Sequence, residues 1–109
     1  MKRSIKSNQR EVVQLHFVVN AAGTAVTGID QNQVSCTDTG TGVKTIELDE
    51  PLQDMVIQVS HTTAGIVSTV AITDTDTIVV SSFALADGTT ATDAICHISV
   101  VGSLITDRN

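Results

Sequence analysis

The sequence has no tryptophan and no tyrosine, and its only phenylalanines are Phe17 and Phe83. An interior nearly without rings must be filled by Val, Ile, Leu and Ala. That gives thin layers and favours packed sheets over a bulky helical core. The same absence counts against a carbohydrate-binding module, since such sites stack sugars on aromatic faces. No apolar run approaches the roughly 20 residues that a membrane-spanning helix needs, so no membrane partner is expected. The first ten residues are charged, and the run after them, VVQLHFVV, is short and interrupted by Gln14 and His16. This does not read as a signal peptide, and the expectation is a chain made and used in a cytoplasm.

Positive charge is the next scarcity. There are six Lys and Arg against twelve Asp and Glu, and four of the six (Lys2, Arg3, Lys6 and Arg10) stand in Met1–Arg10. From Glu11 onward only Lys44 and Arg108 are basic. A basic lead-in on an acidic body suggests a segment with its own partner. The acidic body argues against nucleic acid as the main ligand, because phosphate binding needs a clustered positive surface. With Ile5 as its one clear apolar residue, the lead-in has two readings. It is a solvated terminus, or it is an extended arm laid across an acidic neighbour through charge-assisted contacts.

Constellations that carry chemistry are also missing. No Ser sits in a Gly-x-Ser-x-Gly setting with a His partner, and no phosphate loop or dinucleotide fingerprint occurs. His16, His61 and His97 lack the local spacing of a zinc site, and there is no Cys-x-x-Cys. Asp74 and Asp76 in TDTDT echo part of a calcium loop, but the Gly and the distal Glu are absent, so they read as a solvated turn. Glu47, Asp49, Glu50 and Asp54 cluster around Pro51. Paired carboxylates can serve a glycosidase, but a sugar cleft needs aromatic platforms, so the cluster reads as a solubilising edge or a docking surface for a basic patch. Cys36 and Cys96 are far apart in sequence. Parity permits a disulfide, and the plainer reading is two small buried hydrophobes in strands. No catalytic residue, metal or cofactor is expected.

What remains is strand rhythm. Glu11–Val19, EVVQLHFVV, alternates cleanly: Val13, Leu15, Phe17 and Val19 share one face, and Val12, Gln14, His16 and Val18 the other. Asn20–Gly23 ends it as a turn. Ala25–Asp30 is either a short strand or an irregular crossing. Gln31–Thr37 places Val34 and Cys36 on one face. TDTGTG at Thr37–Gly42 is a turn, and Val43–Leu48 returns with Ile46 and Leu48 inward until Pro51 blocks the ladder. Met55–Ser60 alternates. Ile66–Ile72 sets Ile66, Val70 and Ile72 on one face, and Ile78–Phe83 follows the TDTDT turn. After a loop over Ala84–Asp93, Ala94–Val101 places Ala94, Cys96, Ile98 and Val100 together. Turn signals about 8–12 residues apart mark an all-β protein. The expected architecture is an antiparallel β-sandwich, jelly-roll-like, of about seven to eight short strands. It comprises a basic arm at 1–10, one sandwich domain at 11–103 and a tail at 104–109.

Laid end to end, the chain resembles small virion proteins of tailed bacteriophages. The resemblance rests on the opening strand EVVQLHFVVNAAGTA, the central GTGVKTIEL, the short MVIQVS and the closing DGTTATDAICHISVVGS, and it covers most of residues 11–103. It is similar in particular to capsid decoration, or cement, proteins. The resemblance implies a sandwich that sits on the outer shell across joints between major capsid subunits. It implies a virion location after assembly in the host cytoplasm, and a homo-oligomer, dimer or trimer, paired through exposed strand edges. It favours the arm reading of Lys2, Arg3, Lys6 and Arg10, and it transfers no catalytic motif. Another virion part, in the tail, neck or fibre, is the alternative.

Overall fold

The structure is a computed structural model and describes residues 11–104; the basic segment 1–10 and the residues after Leu104 lie outside them. Eight strands follow in order: β1 (Val12–Val19), β2 (Val26–Thr27), β3 (Val34–Gly40), β4 (Val43–Leu48), β5 (Leu52–His61), β6 (Ile66–Asp74), β7 (Thr77–Ala84) and β8 (Cys96–Leu104). One short 3-10 turn at Gln31–Gln33 precedes β3. The strands form two four-stranded antiparallel sheets, sheet A in the order β2-β1-β8-β5 and sheet B in the order β3-β4-β7-β6. The expected all-β antiparallel sandwich is what the chain forms.

The two sheets enclose one core. Leu15, Phe17, Val19, Leu52, Cys96, Ile98 and Val100 enter it from sheet A, and Val34, Ile46, Leu48, Ile78 and Val80 from sheet B. These are the alternate positions that the period of two puts on one face. Burying each large aliphatic side chain contributes about 1.5–3 kcal/mol. Val13, Met55, Ile57 and Val59 pack against this cluster half-buried, which completes the inward faces of β1 and β5.

Several boundaries differ from the sequence reading, each for a local reason. β3 runs through the TDTG stretch to Gly40, with a bulge between Asp38 and Gly40. The turn is therefore confined to Thr41–Gly42, where Gly42 adopts φ +72° and an added Cβ would come within 2.7 Å of the Ser82 carbonyl oxygen. TDTDT likewise shrinks to Thr75–Asp76 between paired strands. Threonine tolerates extended backbone well, so both Thr-rich stretches stay in the ladder until Gly or Asp releases them. Ile72 shares its face with Val70 and stands opposite buried Ile78, yet it is 51% exposed because β6 is an edge strand. β8 continues to Leu104, beyond the expected end at Val101. Ala25–Asp30 resolves into the two-residue β2 followed by a crossing. There Asp30 substitutes for a strand. Its carboxylate accepts from the His16 amide at 2.7 Å, and its own amide donates to the His16 carbonyl at 3.1 Å.

The first and last described strands are neighbours, with Val12 opposite Ser103, and the Leu104 amide donates to the Glu11 carbonyl at 3.0 Å. The described chain thus begins and ends side by side at one end of the sandwich. The β4–β5 connection and the β6–β7 turn share that end, joined by Leu48 N–H to the Asp76 carbonyl and Leu52 N–H to the Thr75 carbonyl, both 2.8 Å.

Candidate functional site

The charge layout is the first property of the surface. Among the described residues the only Lys or Arg is Lys44, and it is 1% exposed. The acidic side chains lie mostly in turns and connections, at Asp30, Asp49, Glu50, Asp76, Asp87 and Asp93, away from the middles of the strands. The described surface is therefore anionic at its ends and nearly uncharged on its faces. The four arm cations Lys2, Arg3, Lys6 and Arg10 lie outside the described residues.

The acidic cluster around Pro51 sits at the end where β1 begins. Beside it, Val13, Leu15, Leu48, Leu52 and Leu104 floor a groove of about 200 Å³ with Gln33, Asp49 and Glu50 on its walls. It is the unclosed mouth of the sandwich between the two sheets. Asp49 and Glu50 are exposed, and the Asp49 amide donates to the Gln33 carbonyl at 2.9 Å, which holds the rim to the turn before β3. Asp54 belongs to the β5 bulge and holds φ 57°, a conformation rare outside glycine.

The outer face of sheet A forms a wider groove of about 670 Å³, lined among others by His16, His97, Gln58, Ser60, Ser99 and Ile29. Val18 stands opposite His97 and His16 opposite Ser99, so the two histidines are diagonal neighbours on one face. The outward side chains of β1 and β8 between Val12 and Ser103 include no carboxylate and no cation. Among the described residues no three of His, Cys, Asp and Glu converge as metal ligands. Asp74 and Asp76 are engaged locally: Asp74 Oδ1 accepts from the Thr75 amide at 2.7 Å, and Asp76 Oδ1 accepts from the Thr77 hydroxyl at 2.9 Å.

His61 belongs to a polar chain that sequence reasoning missed. Its Nδ1 lies 3.1 Å from the Ile95 carbonyl, which only accepts, so Nδ1 carries the proton. In the neutral ring Nε2 then accepts from Ser68 Oγ at 2.8 Å, and Ser68 Oγ accepts in turn from Ser82 Oγ at 2.8 Å. Ser82 and Cys96 are fully buried, and Cys96 Sγ lies 3.8 Å from Ser82 Oγ and 3.5 Å from the Ala94 carbonyl. The chain stitches β5 and β8 of sheet A to β6 and β7 of sheet B. It resembles a serine–histidine pair only in its first two members. The Ser68 hydroxyl is shared with a second serine, which suits a structural crosslink better than a nucleophile.

Lys44 is the other polar intruder. The alternation that turns Ile46 and Leu48 inward turns Lys44 inward too, and its stem packs where Gly23 has no side chain: an added Cβ there would meet Lys44 Cγ at 3.1 Å. Its Nζ has no hydrogen-bond partner among the described residues. Cys36 and Cys96 are free thiols in strands; Cys96 is buried as the plainer reading expects, whereas Cys36 is only half-buried. Burial pushes the Cys36 thiol up to about 11, against the opposing influence of Lys44. In the β7–β8 loop, Asp87 is held down to about 2 by the Thr90 hydroxyl and by the Thr89 and Thr90 amides, which donate to its carboxylate.

Compared with protein-family models, curated proteins and solved structures, the chain matches none.

Proposed function

We propose that this protein is a structural component of a tailed-bacteriophage virion. In this reading it is a cement protein that binds the outer surface of the assembled capsid and bridges major capsid subunits. It acts by binding and not by catalysis, and it needs no cofactor. Lys2, Arg3, Lys6 and Arg10 supply the contact to an acidic neighbour, and the sheet edges supply further pairing. The observation that carries the reading is the separation of charge: the described body exposes no cation, while the sequence gathers four in residues 1–10. A sandwich with a single core is a rigid spacer, and a cement protein needs little else. Binding only to the assembled state stabilises that state by mass action, and repetition over a lattice lets a modest single-site affinity suffice.

The test is co-sedimentation of the purified chain with empty capsids, followed by cryo-electron microscopy. Stoichiometric density over subunit joints is expected. Replacing Lys2, Arg3, Lys6 and Arg10 by Ser is expected to abolish binding while the domain stays folded. Full occupancy by that variant would defeat the arm mechanism. Absence of binding by the native chain would defeat the capsid role, and density at a single vertex would move the protein to the neck, tail or fibre.

A further inference from the structure

We infer that His61, Ser68, Ser82 and Cys96 form a reversible hydroxyl relay: the chain of hydrogen bonds turns round when His61 takes up a proton, and the two sheets stay joined in both charge states. Cys96 supplies the sulfur that accepts the last hydroxyl in the protonated state. The device lies in the core and works whether or not the chain binds a shell.

The order of burial sets the direction. His61 and Ser68 are half-buried, while Ser82 and Cys96 are fully buried. A proton therefore arrives at the His61 end. With the ring neutral, Nδ1–H donates to the Ile95 carbonyl at 3.1 Å, so Nε2 accepts from Ser68 and Ser68 accepts from Ser82. The Cys96 thiol then ends the run on the Ala94 carbonyl at 3.5 Å. With the ring charged, both nitrogens are donors. Nε2–H now donates to Ser68 Oγ, and the Ser68 hydroxyl must find an acceptor elsewhere. Ser82 Oγ stands 2.8 Å away for it, and Cys96 Sγ stands 3.8 Å from Ser82 Oγ for the next hydroxyl. Each hydroxyl needs only to rotate, and every polar hydrogen of the chain keeps an acceptor in both states. A buried donor left without one costs the desolvation of that group. Each member beyond His61 thus governs how tightly the ring holds its proton.

No charged neighbour does this instead. On β8, Cys96 lies opposite His61, and Val19 of β1 lies opposite Cys96. Residues 55–60 of β5 and 62–65 of the turn after it are uncharged. On β6 the only charged residue is Asp74, at the far end from Ser68, and β7 has none. The β7–β8 loop comes near through the Leu85 amide, which donates to the Gly65 carbonyl at 2.8 Å. Its two carboxylates are turned to other partners: Asp87 accepts from the Thr89 and Thr90 amides, and Asp93 Oδ1 from the Gly42 amide at 2.6 Å. On β4, Lys44 lies inward opposite Val80, and its charge opposes a second cation nearby. Hydroxyls and a thiol are what remain to accommodate a charged ring.

NMR of the full chain tests the relay. The imidazole nitrogen shifts are followed from about pH 8 to about pH 5, with His61→Gln identifying the His61 signals. The neutral ring should carry its proton on Nδ1. Ser82→Ala removes the acceptor that the Ser68 hydroxyl needs in the charged state, so His61 should hold its proton about threefold less tightly or weaker still. His16 and His97 should titrate as in the native chain. Cys96→Ala should act in the same direction by less, and Cys96→Ser, which keeps an acceptor, should restore the native titration. That pair gives the same readout should Ser82→Ala fail to fold. A merely structural crosslink would lose stability in these variants without moving the His61 midpoint. Three outcomes would overturn the relay: a neutral ring protonated at Nε2, a His61 midpoint unchanged by Ser82→Ala, or a Cys96→Ser chain that titrates like Cys96→Ala.

Discussion

The two sheets share one core and treat polarity in opposite ways. Sheet A lines its inner face with Leu15, Phe17, Val19, Leu52, Ile98 and Val100 around the Cys96 thiol, and its one inward polar ring, His61, stands at the end, opposite Cys96. Its polar residues Gln14, His16, Gln58 and His97 point outward. Sheet B admits Lys44 and Ser82 to its inner face with Ser68 half-buried behind them, and covers its outside with Thr37, Thr45, Thr69 and Ser81. Buried hydroxyls are tolerated where a chain of partners satisfies them, and Ser82, Ser68 and His61 form such a chain. A buried amine without a partner is a cost. The comparison teaches that both sheets fill the apolar core and share the polar chain between them, while the unpartnered buried amine lies on sheet B.

Four experiments break or sharpen that contrast. Phe17→Ala removes the one ring in the core cluster and should lower unfolding free energy by about 3–5 kcal/mol in denaturant titrations with an unchanged slope. A loss below about 2 kcal/mol would mean that the core closes over the missing ring. Lys44→Met keeps the stem and deletes the unpartnered nitrogen, so stability should rise by about 1–3 kcal/mol; a fall would show that the amine has an acceptor and is no liability. Ser82→Ala should cost about 1 kcal/mol. Combined with Ser68→Ala it should cost measurably less than the two separate losses together, since the hydroxyls share one bond; strict additivity would dissolve the crosslink. The smallest effect concerns pH. The Cys36 thiol is raised from 9.0 to about 11 in the folded protein. The neutral form is therefore favoured by folding. Its contribution is complete below pH 9 and is lost as pH climbs toward 11. Cys36→Ser should flatten the stability–pH curve in that window, and an unchanged curve would assign the alkaline loss elsewhere.

Much of this fold was legible in the sequence because alternation reports burial directly. β1 and β8 show it best: the residues placed inward from the pattern, Leu15, Phe17, Val19, Cys96, Ile98 and Val100, are buried. The period also pointed at Lys44, which shares a face with Ile46 and Leu48; its charge argued for the surface, and the register prevailed. Turn lengths were overestimated because Thr and Asp serve both turns and strand edges, and only tertiary pairing decides between them. His61, Ser68, Ser82 and Cys96 come from four strands in two sheets, so nothing local could reveal their chain. The end groove was equally hidden, since its floor combines β1, β4, β5 and β8. The acidic cluster beside it was visible as Glu47, Asp49, Glu50 and Asp54 around Pro51. The arm residues Lys2, Arg3, Lys6 and Arg10 were named from composition and charge, which give no position in space.

The adjacency of Glu11 and Leu104 makes the body nearly a closed loop. A short peptide joining them would sew that end of the sandwich shut, and the chain could then be reopened at the β5–β6 turn, where nothing lies within 4 Å of a side chain added at Gly65. Such a circularly permuted version would keep every ladder while moving both free ends to the opposite pole. A passenger peptide fused there would project away from the carboxylate rim.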